Sequence, residues 1–440
     1  MSEGPWTPVR VVDYDLLTGS ASWDDGVAGG RVVALLRAHT RALGVTSVEL
    51  GVSQTIGDQH QYLSSLYPEK LQRHLHTFGC SPTDTEPEDG VPACLARRRA
   101  LLNEAPSVSV VVATHDRPAL LARTLDSLLV QEQPALEVVV VDNARSSDAT
   151  EQLVRSDRYA SRGVRYVREN IPGLGRAHNA GLASARGEVI AITDDDVIVD
   201  SQWIAALLEA FVENEAGCVT GLILPVELRT REQAWVEQYG GFARGFERRE
   251  FSLASPPRDD PLFPFTAGRF GSGANMAFTR ELLDSMGGFD PALGAGTKAK
   301  GGDDLAAFAR TLLGGGTLVY EPDAVVRHSH HHTFAALKGM AHGYGVGLGA
   351  YVTSLLWTQP ELVREMIRRL PAGVRHLTRK DSDKNRNMQS DYPRELVVTE
   401  RLGLLRGPFS YIASRRAESR RPGATRGRAS RGQPPTFIRT

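Results

Sequence analysis

The hydrophobic positions in the middle of the chain form short continuous runs, separated by stretches with the spacing of amphipathic helices. Between residues 107 and 196 the apolar runs are SVSVVVAT, LEVVVVDN, GVRYVREN and EVIAITDDD. The stretches between them place apolar residues three or four positions apart over roughly 10–15 residues. Strands that are apolar throughout and alternate with helices predict a mostly parallel sheet with helices on both faces. We therefore expect an α/β fold.

The chain before residue 91 has a weaker pattern. VRVVDYDL and VTSVELGV are predicted strands, and residues 31–43 have the spacing of an amphipathic helix. Residues 81–90 (SPTDTEPEDG) are acidic and rich in turn-forming residues, so we interpret them as a linker. We expect residues 1–90 to form a small N-terminal accessory domain that ends in this acidic linker.

After residue 200 the alternation of strands and helices becomes less regular. The main domain is predicted to extend over residues 91–335, and its aromatic, irregular segment 229–270 is interpreted as a loop that covers a ligand site. Residues 336–413 are expected to form a helical C-terminal extension. Residues 414–440 are rich in Arg, Gly and Pro, a composition that predicts a disordered basic tail.

The charge of the chain is nearly balanced, with a net charge of −1 over 440 residues. With 41% hydrophobic and 23% charged residues, the composition is typical of a globular protein and gives no reason to expect a nucleic-acid partner. Residues 401–440 differ, because ten arginines and one acid (Glu418) give them a net charge of +9. We expect them to attract an anionic membrane face or an anionic lipid-linked acceptor; a solvated tail that aids solubility is the alternative.

The three cysteines, Cys80, Cys94 and Cys218, are too few and too scattered for a disulfide framework or a zinc ribbon. We expect them to be unpaired core residues in a reducing cytoplasm. The sequence opens without a basic stretch followed by an apolar one, so no signal peptide is expected. No apolar run reaches the roughly 18 residues that span a bilayer. We therefore expect a cytoplasmic protein that can lie peripherally at the inner membrane face.

Three consecutive aspartates, Asp194, Asp195 and Asp196, follow the last apolar run of the sheet region. Carboxylates packed this closely repel one another unless a divalent cation lies among them. A helix N-cap is the alternative explanation, but a cap needs one side chain, and Asp200 or Ser201 already supplies it. We therefore predict a metal and nucleotide site.

A second acidic pair, Asp303 and Asp304, begins a predicted helix directly after Gly301 and Gly302. Acidic side chains are favoured at the positive end of the helix dipole, which is a sufficient explanation for one of them. The two glycines also permit a ligand to approach the backbone closely. A carboxylate that faces a cleft at this position could take the proton from an acceptor hydroxyl.

Polar residues also follow the first two predicted strands. Ligands of open parallel sheets bind beyond the carboxyl ends of the strands, which is where Thr114, Asp116, Asp142 and Asn143 fall. Asp142 and Asn143 are both turn formers, so a turn explains them as well. The functional interpretation is a hydrogen bond from Asp142 to a base or a ribose.

Four histidines, His328, His330, His331 and His332, follow a late predicted strand. Histidine and aspartate together suit Mn²⁺ or another transition ion. The run lacks the spacing that would point all four rings at one ion, so we expect one functional histidine. His328 is the candidate ligand, and in an extended segment it shares a face with His330.

These motifs resemble the family 2 glycosyltransferases with the GT-A fold over residues 107–335. The similarity is carried, in order, by SVSVVVATHDRPALLARTLDSLL, VVVVDNARSSDAT, GLGRAHNAGLASARGEVIAITDDD, GSGANMAFTRELLDSMGGFDP and GGDDLAAFAR. The resemblance implies a GT-A-like sheet and an inverting, hexosyltransferase-like enzyme. Such an enzyme moves a sugar from a nucleotide-diphosphate sugar to an acceptor hydroxyl with Mg²⁺ or Mn²⁺. The acceptor would be a carbohydrate, a lipid-linked molecule or a small molecule.

The resemblance also implies a role for each candidate residue. Asp194 and Asp196 frame the metal motif, and His328 is a further candidate ligand. Asp304 is implied as the base, but Asp303 stands where the family usually has Glu, so the choice between these neighbours stays open. The predicted contacts to the nucleotide sugar are Thr114, Asp116, Asp142, Asn143, Asn179, Asp194 and Asp195.

Two other functions remain to be weighed. A sugar-phosphate nucleotidyltransferase has a similar sheet, but it would carry a glycine-rich loop with Arg or Lys after the first strand, where this sequence has ATHDRP. A non-catalytic scaffold that only binds sugar nucleotides is the second alternative. The intact acidic residues at both motifs argue against it.

Overall fold

The computed structural model describes residues 6–22, 30–80, 91–239, 242–379 and 391–421, together with residues 382, 385 and 387–389. Its strands are β1 Arg10–Asp15, β2 Gly30–Ala38, β3 Arg41–Leu50, β4 Val108–Thr114, β5 Glu137–Asn143, β6 Val164–Glu169, β7 Val189–Asp194, β8 Val197–Val199, β9 Cys218–Pro225, β10 Arg249–Phe251, β11 Asn275–Thr279 and β12 Leu318–His328. Its α-helices are α1 His60–Leu66, α2 Pro68–Phe78, α3 Ala93–Leu101, α4 Pro118–Leu128, α5 Ala149–Val154, α6 Asp157–Ala160, α7 Leu174–Ser184, α8 Trp203–Asn214, α9 Arg231–Gln238, α10 Arg280–Met286, α11 Asp303–Leu313, α12 Phe334–Thr358, α13 Val363–Thr378 and α14 Arg394–Ser419.

The large sheet has the strand order β10-β12-β9-β11-β7-β4-β5-β6, and β8 pairs with β12 outside this path. Strands β6, β5, β4 and β7 are parallel neighbours, and β9 and β12 are parallel to each other. Strand β11 is antiparallel to both β7 and β9, and β10 and β8 are antiparallel to β12. The sheet is therefore mixed and mostly parallel.

Both faces of this sheet are covered by helices. One hydrophobic core contains Trp203 and Phe211 of α8 together with Leu121 of α4. The other contains Phe308 of α11 and Ala177 of α7. All seven residues of β5 are buried, as its continuous apolar sequence predicts for a strand covered on both sides. The expected α/β architecture is confirmed.

The N-terminal region forms a separate three-stranded sheet, β1-β2-β3, with α1 and α2 packed on it. The helix predicted over residues 31–43 is wrong, because β2 and β3 form a hairpin there. The two strands are joined at His39 and Thr40, and His39 has a φ of 54°. Apolar side chains of β2 face both ways: Val32 packs into the N-terminal core, and Leu35 packs against the large sheet. Because β2 is buried on both faces, its sequence lacks the alternation of apolar and polar residues that marks a half-exposed strand.

A buried ion-pair network joins the N-terminal sheet to the large sheet. Arg41 of β3 lies 2.5 Å from Glu209 of α8 and 2.7 Å from Asp323 of β12. Arg98 of α3 donates to Glu209 at 2.8 Å, and the Arg98 side chain is 2% exposed. Because charges this deeply buried are tolerated only when they are paired, the network fixes the orientation of β3 and α3 against α8. The predicted linker, residues 81–90, lies outside the described residues.

The C-terminal helices pack through glycines. A Cβ added to Gly345 of α12 would lie 2.0 Å from the carbonyl oxygen of Glu400, and one added to Gly407 of α14 would lie 2.5 Å from Cα of Gly349. The two helix backbones therefore touch directly. None of the described helices combines the length and the apolar character needed to cross a membrane.

Helix α14 continues to Ser419, so the tail predicted to begin at residue 414 begins too early. The reason is tertiary packing, because Tyr411 is fully buried and its hydroxyl donates to Oδ2 of Asp290 at 2.8 Å. Ser414 is buried as well. Residues 422–440, which hold the rest of the predicted tail, lie outside the described residues.

Candidate active site

The candidate site lies where the parallel strands β4, β5 and β7 end. The register pairs Thr114 of β4 with Asp142 of β5, and Ala113 of β4 with Asp194 of β7. Since parallel strands finish at the same edge of a sheet, the polar residues that follow them are brought into one row. Thr114 Oγ1 donates to Asp195 Oδ2 at 2.6 Å, which ties the ends of β4 and β7 together.

Three of the predicted metal ligands come together at this edge. One ligand atom each from Asp194, Asp196 and His328 lies within 4.8 Å of the others. The antiparallel pairing of β8 with β12 explains this arrangement, because Val197 is opposite His328 and therefore places Asp196 beside the imidazole. Nε2 of His328 lies 3.2 Å from Oδ1 of Asp196.

The charges of these three groups depend on one another. Burial and the neighbouring charge of Asp196 raise the pKa of Asp194 to about 7. Burial alone would raise the pKa of Asp196 too, but the His328 ring and the Arg117 guanidinium hold it below its ordinary value. Burial opposes a charge on His328, yet Asp196 and Asp194 raise its pKa. The group has the excess of negative charge that a cation would relieve.

The residues fit a divalent cation. Oδ1 of Asp196 is buried 3.2 Å from Nε2 of His328 without a well-aligned hydrogen bond to it, so a cation could take both atoms as ligands. Nδ1 of His328 faces Nδ1 of His330 at 3.2 Å, which leaves Nε2 on the side of the aspartates. Two carboxylates and one imidazole suit Mn²⁺ or another borderline ion, whereas an all-oxygen set would favour Mg²⁺.

The other histidines of the run have different partners. His330 is buried, and its Nε2 lies 2.7 Å from Oε1 of Glu237. His332 is half exposed and lies 3.6 Å from Glu227. His331 is exposed. Partial burial of its ring, and secondly the charge of His328, lower the pKa of His331. Only His328 of the four joins the group within 4.8 Å, as the irregular spacing of the run led us to expect.

Asp195 differs from its two neighbours in sequence. It is 5% exposed, and it accepts from Thr114 and, at 3.3 Å, from Arg117. Arg117 also donates to Oδ2 of Asp196 at 3.2 Å. The sequence analysis did not single out Arg117, although it follows the first strand at the position of other candidate residues. It places a half-exposed positive charge directly beside the metal group.

The second acidic pair begins α11, and its two members have different surroundings. Asp304 accepts from the backbone N–H of Gly273 at 2.9 Å and from that of Leu305 at 2.8 Å. Burial and the adjacent charge of Asp303 nevertheless raise the pKa of Asp304 to about 6. Asp303 is 4% exposed, and its Oδ2 lies 3.5 Å from Nδ1 of His178 on α7.

His178 and Tyr344 connect the two acidic groups. The charge of His178 lowers the pKa of both Asp194 and Asp304, against the larger effect of burial. Burial, followed by the charges of Asp304, Asp194 and Asp196, raises the pKa of Tyr344 on α12. The backbone also joins the two groups, because Asp304 accepts from the N–H of Gly273, two residues before Asn275, and Asn275 pairs with Thr193, the neighbour of Asp194. Both groups therefore face one cleft. Tyr344 is 41% exposed and stacks on Tyr239, with ring centroids 6.3 Å apart.

The sequence analysis missed both of these residues. His178 had a weak signal, because it is a polar residue on the buried face of an amphipathic helix. Tyr344 had none that we can identify, since its position depends on the packing of α12 against α14. The prediction that segment 229–270 covers the site is partly met, because Phe242 packs on the His328 ring with centroids 5.7 Å apart. That segment also contains α9 and β10 and is less irregular than expected.

Gly301 and Gly302 were expected to allow a ligand close to the backbone, but they approach a helix. A Cβ added to Gly302 would lie 2.6 Å from the carbonyl oxygen of Gly347 on α12, and one added to Gly301 would lie 3.6 Å from Gly347 Cα. Gly302 also has a φ of 85°, a conformation that favours glycine. The two glycines therefore set the contact between α11 and α12.

Two predicted nucleotide contacts have local structural partners. Asn143 accepts from the N–H of Gly173 at 3.0 Å and donates to the carbonyl oxygen of Ile171 at 2.8 Å. Asn179 donates to the carbonyl oxygen of Phe289 at 2.9 Å and accepts from the Phe289 N–H at 2.8 Å. These bonds use the amide groups to fix the loop before α7 and the loop after α10. Their predicted role in donor binding stays a prediction.

Asp142 and Asp116 remain open to a ligand. Asp142 is buried and accepts from the Tyr166 hydroxyl at 2.9 Å, while its Oδ1 has no hydrogen-bond partner among the described residues. Burial raises the pKa of Asp142. Asp116 is exposed, has a φ of 53° and accepts from the N–H of Ser146 at 3.0 Å. Both carboxylates lie in the loops at the ends of β4 and β5.

Residues 109–287 match the family described as Glycosyl transferase family 2. An uncharacterized glycosyltransferase of Nostoc sp. is 23% identical over 184 residues, which are 42% of this chain and 54% of the relative. Polypeptide N-acetylgalactosaminyltransferase 12 of Mus musculus is 28% identical over 312 residues, which are 67% of this chain and 50% of the relative. The chain thus spans about half the length of these curated relatives. A mannosyltransferase of Pyrobaculum calidifontis, solved with GDP-Man and Mn²⁺, has a TM-score of 0.43 and 20% identity over 74% of this chain and 80% of that one.

The matched region runs from β4 to the end of α10 and contains the ends of β4, β5 and β7 at one edge of the cleft. Most of the motifs that carried the resemblance in the sequence lie within it. The similarity to glycosyl transferase family 2 therefore covers residues 109–287 of this chain.

Proposed function

We propose that the protein is a metal-dependent, inverting glycosyltransferase that moves a sugar from a nucleotide-diphosphate sugar to an acceptor hydroxyl. The observation that carries the proposal is the pair of neighbouring acidic groups at the cleft: Asp194 and Asp196 with His328 on one side, and Asp304, bound to the Gly273 N–H just before β11, on the other. The first group suits a cation and its diphosphate, and the second suits an acceptor.

Asp194, Asp196 and His328 would hold Mn²⁺ or Mg²⁺. When bound, the cation neutralises the negative charge that develops on the departing nucleoside diphosphate. Arg117 lies beside Asp196 and adds a second positive charge on the same side of the cleft. The mixed carboxylate and imidazole set favours Mn²⁺ over Mg²⁺.

The nucleotide would bind along the ends of β4 and β5. The unpartnered Oδ1 of Asp142 is the group best placed to accept from a base or a ribose hydroxyl. Asp116 offers an exposed carboxylate in the adjacent loop, and Thr114 fixes Asp195 so that the aspartate run keeps its orientation. Burial raises the pKa of Asp142, and a hydrogen bond donated by the base or ribose would stabilise the charged form of the carboxylate.

Asp304 would accept the proton of the acceptor hydroxyl as that oxygen attacks the anomeric carbon. The bond from that carbon to the diphosphate breaks on the opposite face, which inverts the configuration. A carboxylate whose pKa is about 6 is a stronger base than an exposed aspartate and is still ionised at neutral pH. Asp303, beside His178, is the alternative base.

A panel of sugar nucleotides incubated with the protein and Mn²⁺ tests the proposal. Release of free nucleoside diphosphate that requires an acceptor supports the transferase. Pyrophosphate formed from a sugar phosphate and a nucleoside triphosphate would instead identify a nucleotidyltransferase. Binding of a sugar nucleotide without turnover, across acceptors of carbohydrate, lipid-linked and small-molecule type, would leave only a binding scaffold.

We also propose peripheral contact with an anionic membrane. On α13 the side chains of Ile367, Leu370 and Val374 are 66%, 62% and 53% exposed, and Arg368 and Arg369 lie between Ile367 and Leu370 in sequence. A basic amphipathic helix of this kind binds lipid surfaces through its apolar face and its charge. When Ile367 and Leu370 are both changed to Ser, less protein should sediment with vesicles that contain anionic lipid. Equal binding of the variant and the parent chain at low salt would remove the proposal.

A further inference from the structure

Four potential metal ligands converge at a place distant in sequence from the acidic cleft motifs. His39, His74, Cys80 and Cys94 each offer one ligand atom, and these four atoms all lie within 4.8 Å of one another. Three of the residues belong to the N-terminal region, and Cys94 belongs to the helix that leads into the main domain. The third cysteine of the chain, Cys218, is buried separately on β9.

Local structure explains why the four side chains meet. His39 lies in the turn of the β2–β3 hairpin with a φ of 54°, where a non-glycine residue is strained. His74 is the buried residue of α2, and Gly79 ends that helix in a left-handed conformation so that Cys80 turns back towards it. Cys94 is the second residue of α3 and is buried. A strained histidine in a tight turn is more easily understood if its ring has a ligand to bind.

The distances match the edges of a small tetrahedron. Nδ1 of His39 lies 3.4 Å from Nε2 of His74 and 3.3 Å from Sγ of Cys94. Bond lengths of about 2.0–2.1 Å to nitrogen and about 2.3 Å to sulfur give tetrahedral edges of about 3.3 Å between two nitrogens and about 3.6 Å between nitrogen and sulfur. The observed separations are within a few tenths of an ångström of these values.

The burial of the cluster favours an uncharged assembly. Cys94 is 1% exposed, His74 is 4% exposed and Cys80 is 7% exposed. A doubly charged cation bound by two thiolates and two neutral imidazoles has no net charge, so it can be buried at low cost.

We propose that His39, His74, Cys80 and Cys94 bind one Zn²⁺ as a closed structural site. Two thiolates and two imidazoles in a tetrahedron are a typical structural zinc set, and binding releases the two thiol protons to solvent. The ion would join the β2–β3 turn, the end of α2 and the start of α3. It would therefore fix both ends of the connection between Cys80 and Cys94 and attach the N-terminal sheet to the main domain.

This inference reverses part of our expectation from the sequence. The cysteines were expected to be unpaired core residues because no short ligand repeat is present. Position 39 lies in the β2–β3 turn, position 74 in α2, position 80 just after α2 and position 94 in α3, so only the fold brings them together. A disulfide between Cys80 and Cys94 would compete with the ion for the same sulfur atoms, and the two states can be distinguished.

The test is the zinc content of the full-length chain after purification without chelator. We expect about one zinc ion per chain, and Co²⁺ in its place should give the absorption of a tetrahedral site with thiolate ligands. Cys80→Ser and Cys94→Ser should each abolish zinc retention. Cys218→Ser, which changes the third buried cysteine, should retain it, as should Asp196→Asn, which alters the separate metal group of the cleft.

Two measurements on the unchanged chain keep the proposal testable if the serine variants do not fold. A chelator that strips zinc should lower the melting temperature and make the thiols of Cys80 and Cys94 reactive towards alkylation in the native chain, while Cys218 stays buried and unreactive. Folded protein that contains no zinc would overturn the proposal, and so would a Cys80–Cys94 disulfide found by intact mass. Zinc that is retained by both serine variants and lost from Asp196→Asn would also overturn it, because the ion would then belong to the cleft.

Discussion

Nδ1 of His178 lies 3.5 Å from Oδ2 of Asp303, and neither atom has a hydrogen-bond partner among the described residues. Asp304, the next residue, is instead bound by two backbone N–H groups. The two carboxylates therefore differ in the hydrogen-bonding groups that surround them. Asp303 is coupled to a histidine that also acts on Asp194, whereas Asp304 is held rigidly at the start of α11.

Replacing Asp304 with Asn is expected to lower turnover by about 10²–10⁴-fold, the range that a lost general base costs. Donor affinity should change little, because the base acts on the acceptor. Asp303→Asn is expected to be milder, and calorimetric titration with donor alongside turnover assays separates the effects. An inactive Asp303→Asn beside an active Asp304→Asn would make Asp303 the base. Normal turnover in both variants would end the catalytic interpretation of this pair.

The pH profile should report the raised pKa of Asp304. A base must be deprotonated, so kcat/KM should fall about tenfold per pH unit below about 6 and level off above it. The charge of Asp303 is one cause of the raised pKa, so Asp303→Asn should move this limb to lower pH. A limb that stays in place in Asp303→Asn, or one centred near the ordinary aspartate value in the parent enzyme, would contradict the assignment.

Asp196→Asn is expected to abolish Mn²⁺ binding, since it removes a charge and replaces a ligand oxygen. Titration of Mn²⁺ followed by electron paramagnetic resonance measures this directly and needs no substrate. His332→Ala is the matched control, because His332 belongs to the same histidine run but pairs with Glu227. Unchanged Mn²⁺ affinity in Asp196→Asn, or an equal loss of affinity in His332→Ala, would show that the metal does not bind at this position.

Glu209→Gln is expected to lower the free energy of unfolding by about 3–5 kcal/mol, because it removes one of the two buried counter-charges, Glu209 and Asp323, that Arg41 and Arg98 share. Asp126→Asn removes an exposed ion pair with Arg158 and should cost at most about 1 kcal/mol. Denaturant unfolding of both variants provides the comparison. Equal, small effects would mean that the N-terminal sheet is only loosely attached, as a separable accessory domain would be.

Gly407→Ala is expected to destabilise the protein by about 1–3 kcal/mol, since its Cβ would lie 2.5 Å from Gly349 Cα. Gly339→Ala, on the same α12 as Gly349, meets no atom within 4 Å and should stabilise by up to about 1 kcal/mol through helix propensity. The opposite signs can be read from the two melting temperatures. A Gly407→Ala variant as stable as the parent chain would show that α12 and α14 can separate without cost.

The sequence predicted the large sheet and much of the site because both depend on local pattern. The middle of β5 is four consecutive valines, and parallel strands bring residues such as Asp142 and Asp194 to one edge of the sheet. His328 could be predicted because it stands at the end of a strand. These predictions needed the periodicity of the chain and one rule about sheets.

The remaining features depend on packing between distant segments. The helix predicted over residues 31–43 failed because β2 is buried on both faces, and its apolar positions then lose the period of a surface strand. Tyr344 entered the cleft through the contact of α12 with α14, and the glycines before Asp303 proved to face Gly347. The ligands of the proposed zinc site are separated by whole elements of structure. Patterns within a short window contain no information about such contacts.

The glycine contacts of α12 connect α14 to the cleft. Gly347 abuts the loop that delivers Asp303 and Asp304, Tyr344 lies one turn away on the same helix, and α14 braces the opposite side of α12 through Gly403 and Gly407. A truncation within α14 is therefore expected to change the reaction with the acceptor before it lowers the affinity for the donor. Helix α14 thus helps, through α12, to set the position of Asp303 and Asp304 in the cleft.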